Sequence, residues 1–340
     1  MKSLGRQVNG TKVSVMSYNL LAKMYAEHRF FPHSDPIHLD WDAFRSKKFE
    51  QTFTRYKPDI LCFQEIQEDD FQQWLCPFMK NIGYSGKMFR KKRDLADDVA
   101  LDGCATFYKH DKFEFINEHR LDYSEYARRM KTTFKDDTAL GQFALPTHNV
   151  GLFLHLNNKD IGDFWVVNTH LNWNKNHPHL QLYQIKALMA ELSRNINKMP
   201  FVICGDFNSL PTSAVYEYLH NGFIDSKSNN YGSLLDVYSG LFASSDVTMK
   251  YMESKHGIQS IKCAYDDKST FTLPFTTRVH EKFEGVIDYI WYSSDSLTPV
   301  ALLNDLTPEE IQNKELSLPN ENHPSDHVPI MAEFQYKTSE

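Results

Sequence analysis

Short apolar runs that stop abruptly at polar residues recur along this chain. The run 13–16 ends in Ser17-Tyr18-Asn19, 60–63 in Gln64-Glu65, 164–167 in Asn168-Thr169-His170, 201–204 in Gly205-Asp206-Phe207-Asn208, and Val286-Ile287 in Asp288. Rich in β-branched and aromatic residues, the runs predict buried strands, each with a polar tip. Between them lie helical patterns. Residues 41–56 carry Phe44, Phe49, Phe53 and Tyr56 on a charged background, and 180–196 carry Leu182, Ile185, Leu188, Met189 and Leu192 near the i, i+3, i+4, i+7 spacing. A third helix is expected over 71–79, and hairpin-like stretches over 103–108 and 150–156. This alternation predicts an α/β sandwich of two facing sheets flanked by helices. Asp35-Pro36, Leu145-Pro146 and Asn229-Asn230 mark loops. No repeat, low-complexity tract or Pro/Gly/Ser linker marks a boundary between two cores.

Composition narrows the class without choosing a function. With 340 residues, 41% hydrophobic and 24% charged, the chain is neither disordered nor a disulfide mini-protein, and its length leaves one or two domains. Its 37 basic and 44 acidic residues give a net charge of −7, which argues against gripping duplex nucleic acid or anionic membrane by bulk electrostatics. Recognition of phosphate must then be local. Candidates to guide a phosphate backbone are Arg90-Lys91-Lys92-Arg93 and the cluster Arg128, Arg129 and Lys131; the alternative is solvated loops offset by Asp94, Asp97 and Asp98. Cys62, Cys76, Cys104, Cys204 and Cys263 form an odd set without a CxxC pair, so reduced buried thiols are expected rather than a disulfide framework or a zinc site. No run approaches 18 apolar residues, and the first residues show no signal or transit pattern, so a cytoplasmic location is expected, with the nucleus left open.

A buried strand has no use for Asn, Glu, Asp or His unless its end opens into a site, since an unpaired buried carboxylate costs several kcal/mol. Convergence on one cation and one phosphate would explain all the tips together. Glu65 and Asn19 offer the oxygen donors that suit Mg²⁺ better than Zn²⁺, although singly they read as a solvated helix lead-in and a strand-end cap. Asp206 and Asn208, two apart, share one side of an extended chain, where a carboxylate can polarise water and an amide can meet a phosphate oxygen; the competing reading is an Asx-type turn. Ser325-Asp326-His327 and Asp288 complete the set, with a histidine oriented by a carboxylate. Ser-Asp-His in sequence is no catalytic triad, because adjacent side chains cannot supply that geometry and no GxSxG elbow exists. His170 gains weight from its company. His177, His179, His280 and His323 lack a strand-tip context and read as loop or surface residues.

Taken in order, these motifs closely resemble those of the endonuclease/exonuclease/phosphatase superfamily. Asp102-Gly103-Cys104-Ala105-Thr106-Phe107-Tyr108-Lys109, Thr169-His170-Leu171-Asn172-Trp173, Asn208-Ser209-Leu210-Pro211 and Phe283-Glu284-Gly285-Val286-Ile287-Asp288-Tyr289-Ile290 are similar to its carbon-catabolite-repressor deadenylase branch, with the nocturnin, angel and 2′,5′-phosphodiesterase relatives. The resemblance implies a four-layer α/β/β/α sandwich and one catalytic domain over 10–337, because motifs from Asn19 to His327 must share a site. It implies Mg²⁺-dependent hydrolysis of RNA phosphodiesters, with Mn²⁺ able to substitute, usually 3′ to 5′ with release of nucleoside monophosphates. On this resemblance Glu65 holds Mg²⁺ beside Asn19, with Asp326 contributing; Asp206 deprotonates the water; Asn208 and His170 bind the scissile phosphate; and His327, paired with Asp288, stabilises the developing charge. Asn149 falls near the phosphate, and Phe283, Trp173 and Asn172 near the substrate, Phe283 against a base. The expected partner is single-stranded RNA, including poly(A), and no membrane. Deadenylases commonly carry proline after the Trp-Asp or Trp-Asn step, whereas this chain has Trp173-Asn174-Lys175, which leaves poly(A) preference open. No leucine-rich repeat is seen, so recruitment by that route is not expected. The alternatives are a phosphatase or phosphodiesterase on 2′,5′-oligoadenylate or a dinucleotide phosphate, and a non-catalytic RNA-binding scaffold.

Overall fold

A computed structural model describes residues 1–4, 10–91, 102–144, 148–196, 199–266, 273–279, 282–303, 305–313 and 315–337. Lys92, Arg93, Asp94, Asp97, Asp98, Leu145-Pro146 and His280 lie outside these described residues. Fifteen strands are found among those described, numbered in chain order: β1 (Lys2–Ser3), β2 (Lys12–Asn19), β3 (Ile60–Gln67), β4 (Tyr84–Arg90), β5 (Asp102–Lys109), β6 (Phe113–Asp122), β7 (Val150–Asn158), β8 (Gly162–His170), β9 (Phe201–Asp206), β10 (Ile261–Cys263), β11 (Thr277–Val279), β12 (Phe283–Gly285), β13 (Asp288–Ser293), β14 (Leu297–Leu302) and β15 (Ile330–Tyr336). One sheet runs β1-β14-β15-β2-β3-β5-β4, the other β10-β13-β9-β8-β7-β6, and β11-β12 form a separate hairpin. Both large sheets are mixed: β2 pairs parallel to β3 and β8 parallel to β9, while the other neighbours run antiparallel.

The continuous apolar runs are explained by burial on both faces of each strand. Val13 and Val15 of β2, Ile60 and Cys62 of β3, Phe164 and Val166 of β8, and Val202 and Cys204 of β9 meet in one cluster between the sheets. The alternate residues of the first sheet, Met16, Tyr18, Leu61 and Phe63, pack on Trp41, Phe49, Phe53, Leu75 and Met79 from flanking helices. Those of the second, Trp165, Val167, Phe201 and Ile203, pack on the helix Pro178–Asn195 and its neighbours. The layers are therefore helix, sheet, sheet, helix, the α/β sandwich expected from the pattern.

Several boundaries differ from the sequence reading. The 41–56 helix opens as a π turn, Trp41–Arg45, before Ser46–Tyr56, and 71–79 likewise joins a π turn, Phe71–Leu75, to Cys76–Asn81. Asn229-Asn230 start the helix Asn229–Leu241 instead of forming a loop. Val286-Ile287 precede a strand and do not form it: β13 begins at Asp288. His179 and His323 are buried, not surface residues, and His323 Nε2 lies 3.1 Å from Glu310 Oε1. The thiols are free, with Cys62, Cys104, Cys204 and Cys263 buried. Among the described residues no helix is long and apolar enough to cross a membrane.

Candidate active site

The two-residue period of the strands carries straight into the polar tips. Asn19 is in phase with Val13 and Val15, His170 with Phe164 and Val166, Asp206 with Val202 and Cys204, and Asp288 with Ile290 and Tyr292, all of which face the opposite sheet. These side chains extend the inter-sheet layer at the point where it turns from apolar to polar. β2, β3, β8 and β9 reach this end at their C-termini, whereas β13, antiparallel to β9, reaches it at its N-terminus, with Asp288 opposite Asp206.

Glu65 is out of phase with Ile60, Cys62 and Gln64, and a bulge brings it in. The β3-β5 register shifts between Phe63 and Ile66, and Glu65 adopts a left-handed φ of 57°. Its carboxylate then accepts from Asn19 Nδ2 at 3.0 Å and from the Ala22 amide at 3.2 Å. Gly205 solves a different problem. A Cβ there would stand 1.9 Å from the Thr169 carbonyl on the parallel neighbour, and its φ of 151° disfavours a side chain as well.

One oxygen, Asp206 Oδ2, is the focus of the cluster. Asn19 Nδ2 donates to it at 3.0 Å, His170 Nε2 lies 3.5 Å away and His327 Nε2 3.6 Å away. The other oxygen, Oδ1, accepts from the Asn208 amide at 2.8 Å. That is the Asx-type turn, so the extended geometry read for Asp206 and Asn208 gives way to a left-handed Asn208 at φ 48°. Asn208 Nδ2 donates to the Leu171 carbonyl at 3.0 Å and keeps a second proton for another acceptor. His327 Nδ1 pairs with Asp288 Oδ2 at 2.8 Å, which fixes the ring and aims Nε2 at Asp206. Asp326 uses its carbonyl to accept from Thr277 Oγ1 at 2.7 Å, and its Oδ1 lies 3.4 Å from Ser325 Oγ.

Burial sets the charge states. Burial pulls the His170 imidazole down to about 3, against the opposing pull of Asp206, so it is neutral at pH 7. His327 goes the other way: burial opposes its charge, but Asp288, Asp206 and Asp326 hold it protonated well above the ordinary histidine range. Burial, with Asp102 and Asp326 nearby, pushes the Glu65 carboxyl up, and burial with Asp288 raises that of Asp206.

Asp206, Asp288 and His327 present ligand atoms within 4.8 Å of one another, a set able to hold a metal ion. Glu65 with Asn19 offers a second set of donors with oxygen atoms suited to a hard cation, the two side chains bonded to each other and joined to Asp206 through Asn19 Nδ2. The buried Glu65 carboxylate, facing Asp102 and Asp326, fits a hard divalent ion, whose charge would relieve the penalty that raises it.

The structure adds supporting contacts that the sequence pattern did not show. Asn168, fully buried, accepts from Gln64 Nε2 at 2.8 Å and donates to the Phe63 and Ala105 carbonyls at 3.0 and 2.9 Å, tying β8 to the opposite sheet. Buried Arg45 donates to the carbonyls of Leu20 and Pro324 at 2.6 Å, and to that of Leu21, pinning the loops after Asn19 and before Ser325. Lys91, read as a backbone guide, pairs at 2.6 Å with the buried Asp102, while Arg90 pairs at 3.1 Å with Glu68. Asn149 donates to the His170 carbonyl at 2.9 Å and accepts from Gln184, so its amide holds the end of β8. Asn172 is buried, with its backbone N–H donating to Gln184 and its carbonyl accepting from Gln181. Trp173 is 75% exposed, and Phe283, on the β11-β12 hairpin, 37%.

A family model described as the Endonuclease/Exonuclease/phosphatase family matches residues 16–327, the span that holds every tip above. The chain belongs to this family. Within the endonuclease/exonuclease/phosphatase family it is similar to the protein named CCR4-Not complex 3′-5′-exoribonuclease subunit Ccr4 of Saccharomyces cerevisiae, 31% identical over 340 residues that cover 95% of this chain and 38% of that one. The Candida albicans protein of the same name is 32% identical over 345 residues, covering 95% and 41%. The chain thus spans well under half the length of these curated relatives. Among solved structures it is similar to ANGEL2, described as a 2′,3′-cyclic phosphatase, in complex with adenosine-2′,3′-vanadate, at TM-score 0.75 and 26% identity over 98% of both chains. It shares the fold of the human Nocturnin catalytic domain, at TM-score 0.64 and 24% identity over 96% of this chain and 94% of that one.

Proposed function

We propose that this chain is a Mg²⁺-dependent phosphodiesterase acting on RNA, a 3′-5′ exoribonuclease of deadenylase type that releases 5′-nucleoside monophosphates, with 10–337 as its catalytic domain. The observation that carries the reading is the meeting of Asn19, His170 and His327 around one oxygen of Asp206. RNA as substrate is supported by relatives about one-third identical along nearly the whole chain and named 3′-5′-exoribonuclease.

In this reading Asp206 Oδ2 orients a water and takes its proton as the water attacks phosphorus; the P–O3′ bond breaks, the 3′ oxygen of the preceding nucleotide leaves and takes up a proton to become a hydroxyl, and the 5′-monophosphate departs. Oδ1 stays fixed by the Asn208 amide, so the base cannot rotate away. Neutral His170 and the second Nδ2 proton of Asn208 meet a non-bridging oxygen. Protonated His327, held by Asp288, opposes the charge that develops on the phosphoryl group. Glu65 and Asn19 hold the ion, with Asp326 adding charge close by; Mg²⁺, or Mn²⁺ in its place, supplies Lewis-acid polarisation of the phosphate when bound. Asn149 acts by fixing the end of β8, and Phe283 offers a base a sequence-tolerant platform.

A second reading is favoured by the likeness to ANGEL2 along the full chain: hydrolysis of a 2′,3′-cyclic phosphate at an RNA end. Product analysis on an end-labelled RNA with a 3′ tail, beside an RNA ending in a 2′,3′-cyclic phosphate, separates the two. Stepwise loss of 3′ nucleotides as 5′-monophosphates is expected. Asp206→Asn and Glu65→Gln are expected to lower that rate about a thousandfold or more with the fold retained. Retained hydrolysis in either variant refutes the site, opening of the cyclic end with an intact tail selects the second reading, and binding without cleavage selects a scaffold.

A further inference from the structure

The bulge that turns Glu65 inward is held from across the sandwich. Phe63 and Ala105 are the last paired residues of β3 and β5 before the register shifts, and pairing resumes at Ile66 and Gly103. Asn168 of β8, in the opposite sheet, donates from Nδ2 to the Phe63 carbonyl at 3.0 Å and to the Ala105 carbonyl at 2.9 Å. Carbonyls only accept, so the amide must turn its nitrogen to them and its oxygen the other way. That oxygen accepts from Gln64 Nε2 at 2.8 Å, and the Gln64 carbonyl accepts from the Leu20 amide at 3.0 Å. Both residues before Glu65 are therefore bonded to Asn168.

Phe63, Gln64, Ala105 and Asn168 are all fully buried. A left-handed φ of 57° at a glutamate persists only where its surroundings impose it. In a regular pleat Glu65 would point away from Gln64 and so away from the layer between the sheets. Asn168 spans β3 and β5 at the place where the pleat is broken.

We propose that Asn168 is a positioning residue for the cation site: by fixing the β3 bulge it sets the Glu65 carboxylate against Asn19 and Asp206. A side chain of the sheet that carries Asp206 thus aims a ligand carried by the other sheet. The inference rests on the reading of Glu65 as the holder of the ion and deepens it. Asn168 acts through Glu65. An ion at high concentration draws a loosened carboxylate back into place, so the loss falls on metal affinity and not on the rate at saturating metal.

The test follows Mn²⁺ binding to the metal-free full chain by electron paramagnetic resonance, beside the Mg²⁺ dependence of RNA cleavage. Asn168→Leu keeps much of the volume and removes the amide; the Kd for Mn²⁺ should rise about 10–100-fold, the usual effect of losing a group that orients a metal ligand. The half-saturating Mg²⁺ concentration should rise by the same factor, with kcat and the KM for RNA at saturating Mg²⁺ little changed. Asn168→Ser keeps one donor, should weaken Mn²⁺ less, and is read in the same way where the leucine variant does not fold. Asp59→Asn disturbs a buried network at the other end of β3, where Asp59 accepts from Ser14 and pairs with Lys109 and Lys112, and should leave Mn²⁺ affinity unchanged. Wild-type Mn²⁺ affinity in a folded Asn168 variant overturns the proposal. Equal weakening in Asp59→Asn does so too, as it reports general loosening. A loss confined to kcat at saturating Mg²⁺ also overturns it, because Asn168 would then act through His170, two residues on. If the wild type cleaves no RNA, the exonuclease reading fails and the Mn²⁺ comparison alone decides the positioning role; a wild type that binds no Mn²⁺ overturns it.

Discussion

Asp288→Asn isolates the role of one charge at the site. The substitution keeps the shape of the side chain and can keep a hydrogen bond to His327 Nδ1, now 2.8 Å from Asp288 Oδ2, but removes the charge that holds the imidazole protonated. An opposite charge within about 4–6 Å moves a pKa by about 1–3 pH units, and burial, which already opposes the charged form, then acts with less resistance. If the protonated ring is needed, activity is lost as pH rises through its pKa, and each pH unit beyond that point costs about tenfold. The alkaline limb of the variant's kcat/KM profile should therefore lie about 1–3 pH units below that of wild type, a gap of about 10- to 1,000-fold at pH values above both limbs that closes as the pH falls below them. His327 also contributes stability that is fully present below about pH 6.5 and fades as pH rises through its raised folded-state pKa. Thermal melts across the same range therefore belong with the assay, because breaking a buried pair costs about 3–5 kcal/mol. A folded variant whose rate is lower by a constant factor at every pH refutes the argument, as does one whose alkaline limb coincides with that of wild type.

Two further predictions concern stability. Lys186 is buried with Nζ donating to the Tyr251 carbonyl at 2.5 Å and to Ser254 Oγ at 2.9 Å, among the rings of Tyr218 and Tyr251, and burial pulls its ammonium down to about 7. The resulting cost is full below about 7 and fades as pH rises towards the ordinary lysine value, so Lys186→Met should gain on the order of 3 kcal/mol at pH 6 and little at pH 10. Ser254 Oγ already donates to the Tyr251 carbonyl at 2.7 Å, so the substitution orphans neither group; a lower melting temperature at pH 6 would contradict the reasoning. Gly205→Ala places a methyl carbon 1.9 Å from the Thr169 carbonyl and should cost more than about 4 kcal/mol, seen as loss of soluble folded protein; a variant melting within a few degrees of wild type refutes that contact.

The fold was legible because its strands are buried on both faces and so form unbroken apolar runs, with the polar tip marking where burial ends. Strand direction was not legible. Val286-Ile287 followed by Asp288 reads as a strand with a terminal carboxylate, yet the carboxylate starts the strand, and both directions place Asp288 at the same end of the sheet. Asn19, Asp206 and His170 stood out as polar residues at the ends of apolar strands. Asn168 and Gln64 lie in those tips, but their pairing across the sheets did not show, nor did the role of Arg45, because partners 104 residues apart, or 24, 25 and 279 apart for Arg45, leave no local pattern. Gln181 and Gln184 were hidden by a different cause. The Pro178–Asn195 helix reads as amphipathic but is buried over nearly its whole circumference from His179 to Met189, and its two glutamines face the loops after β8 and β9.

Asn19 and Glu65 belong to one sheet, His170, Asp206 and Asp288 to the other, and His327 to the segment leading into β15. A cut in the turn between β5 and β6 would leave Asn19 and Glu65 on one fragment and all the other tips on its complement. Neither fragment holds a base and a cation site together, so hydrolysis reports that two halves have docked, and fragment reassembly should restore it as a switch. By mass action, whatever occupies the shared seam also clamps the halves. Substrate is then a cross-brace as well as a reactant.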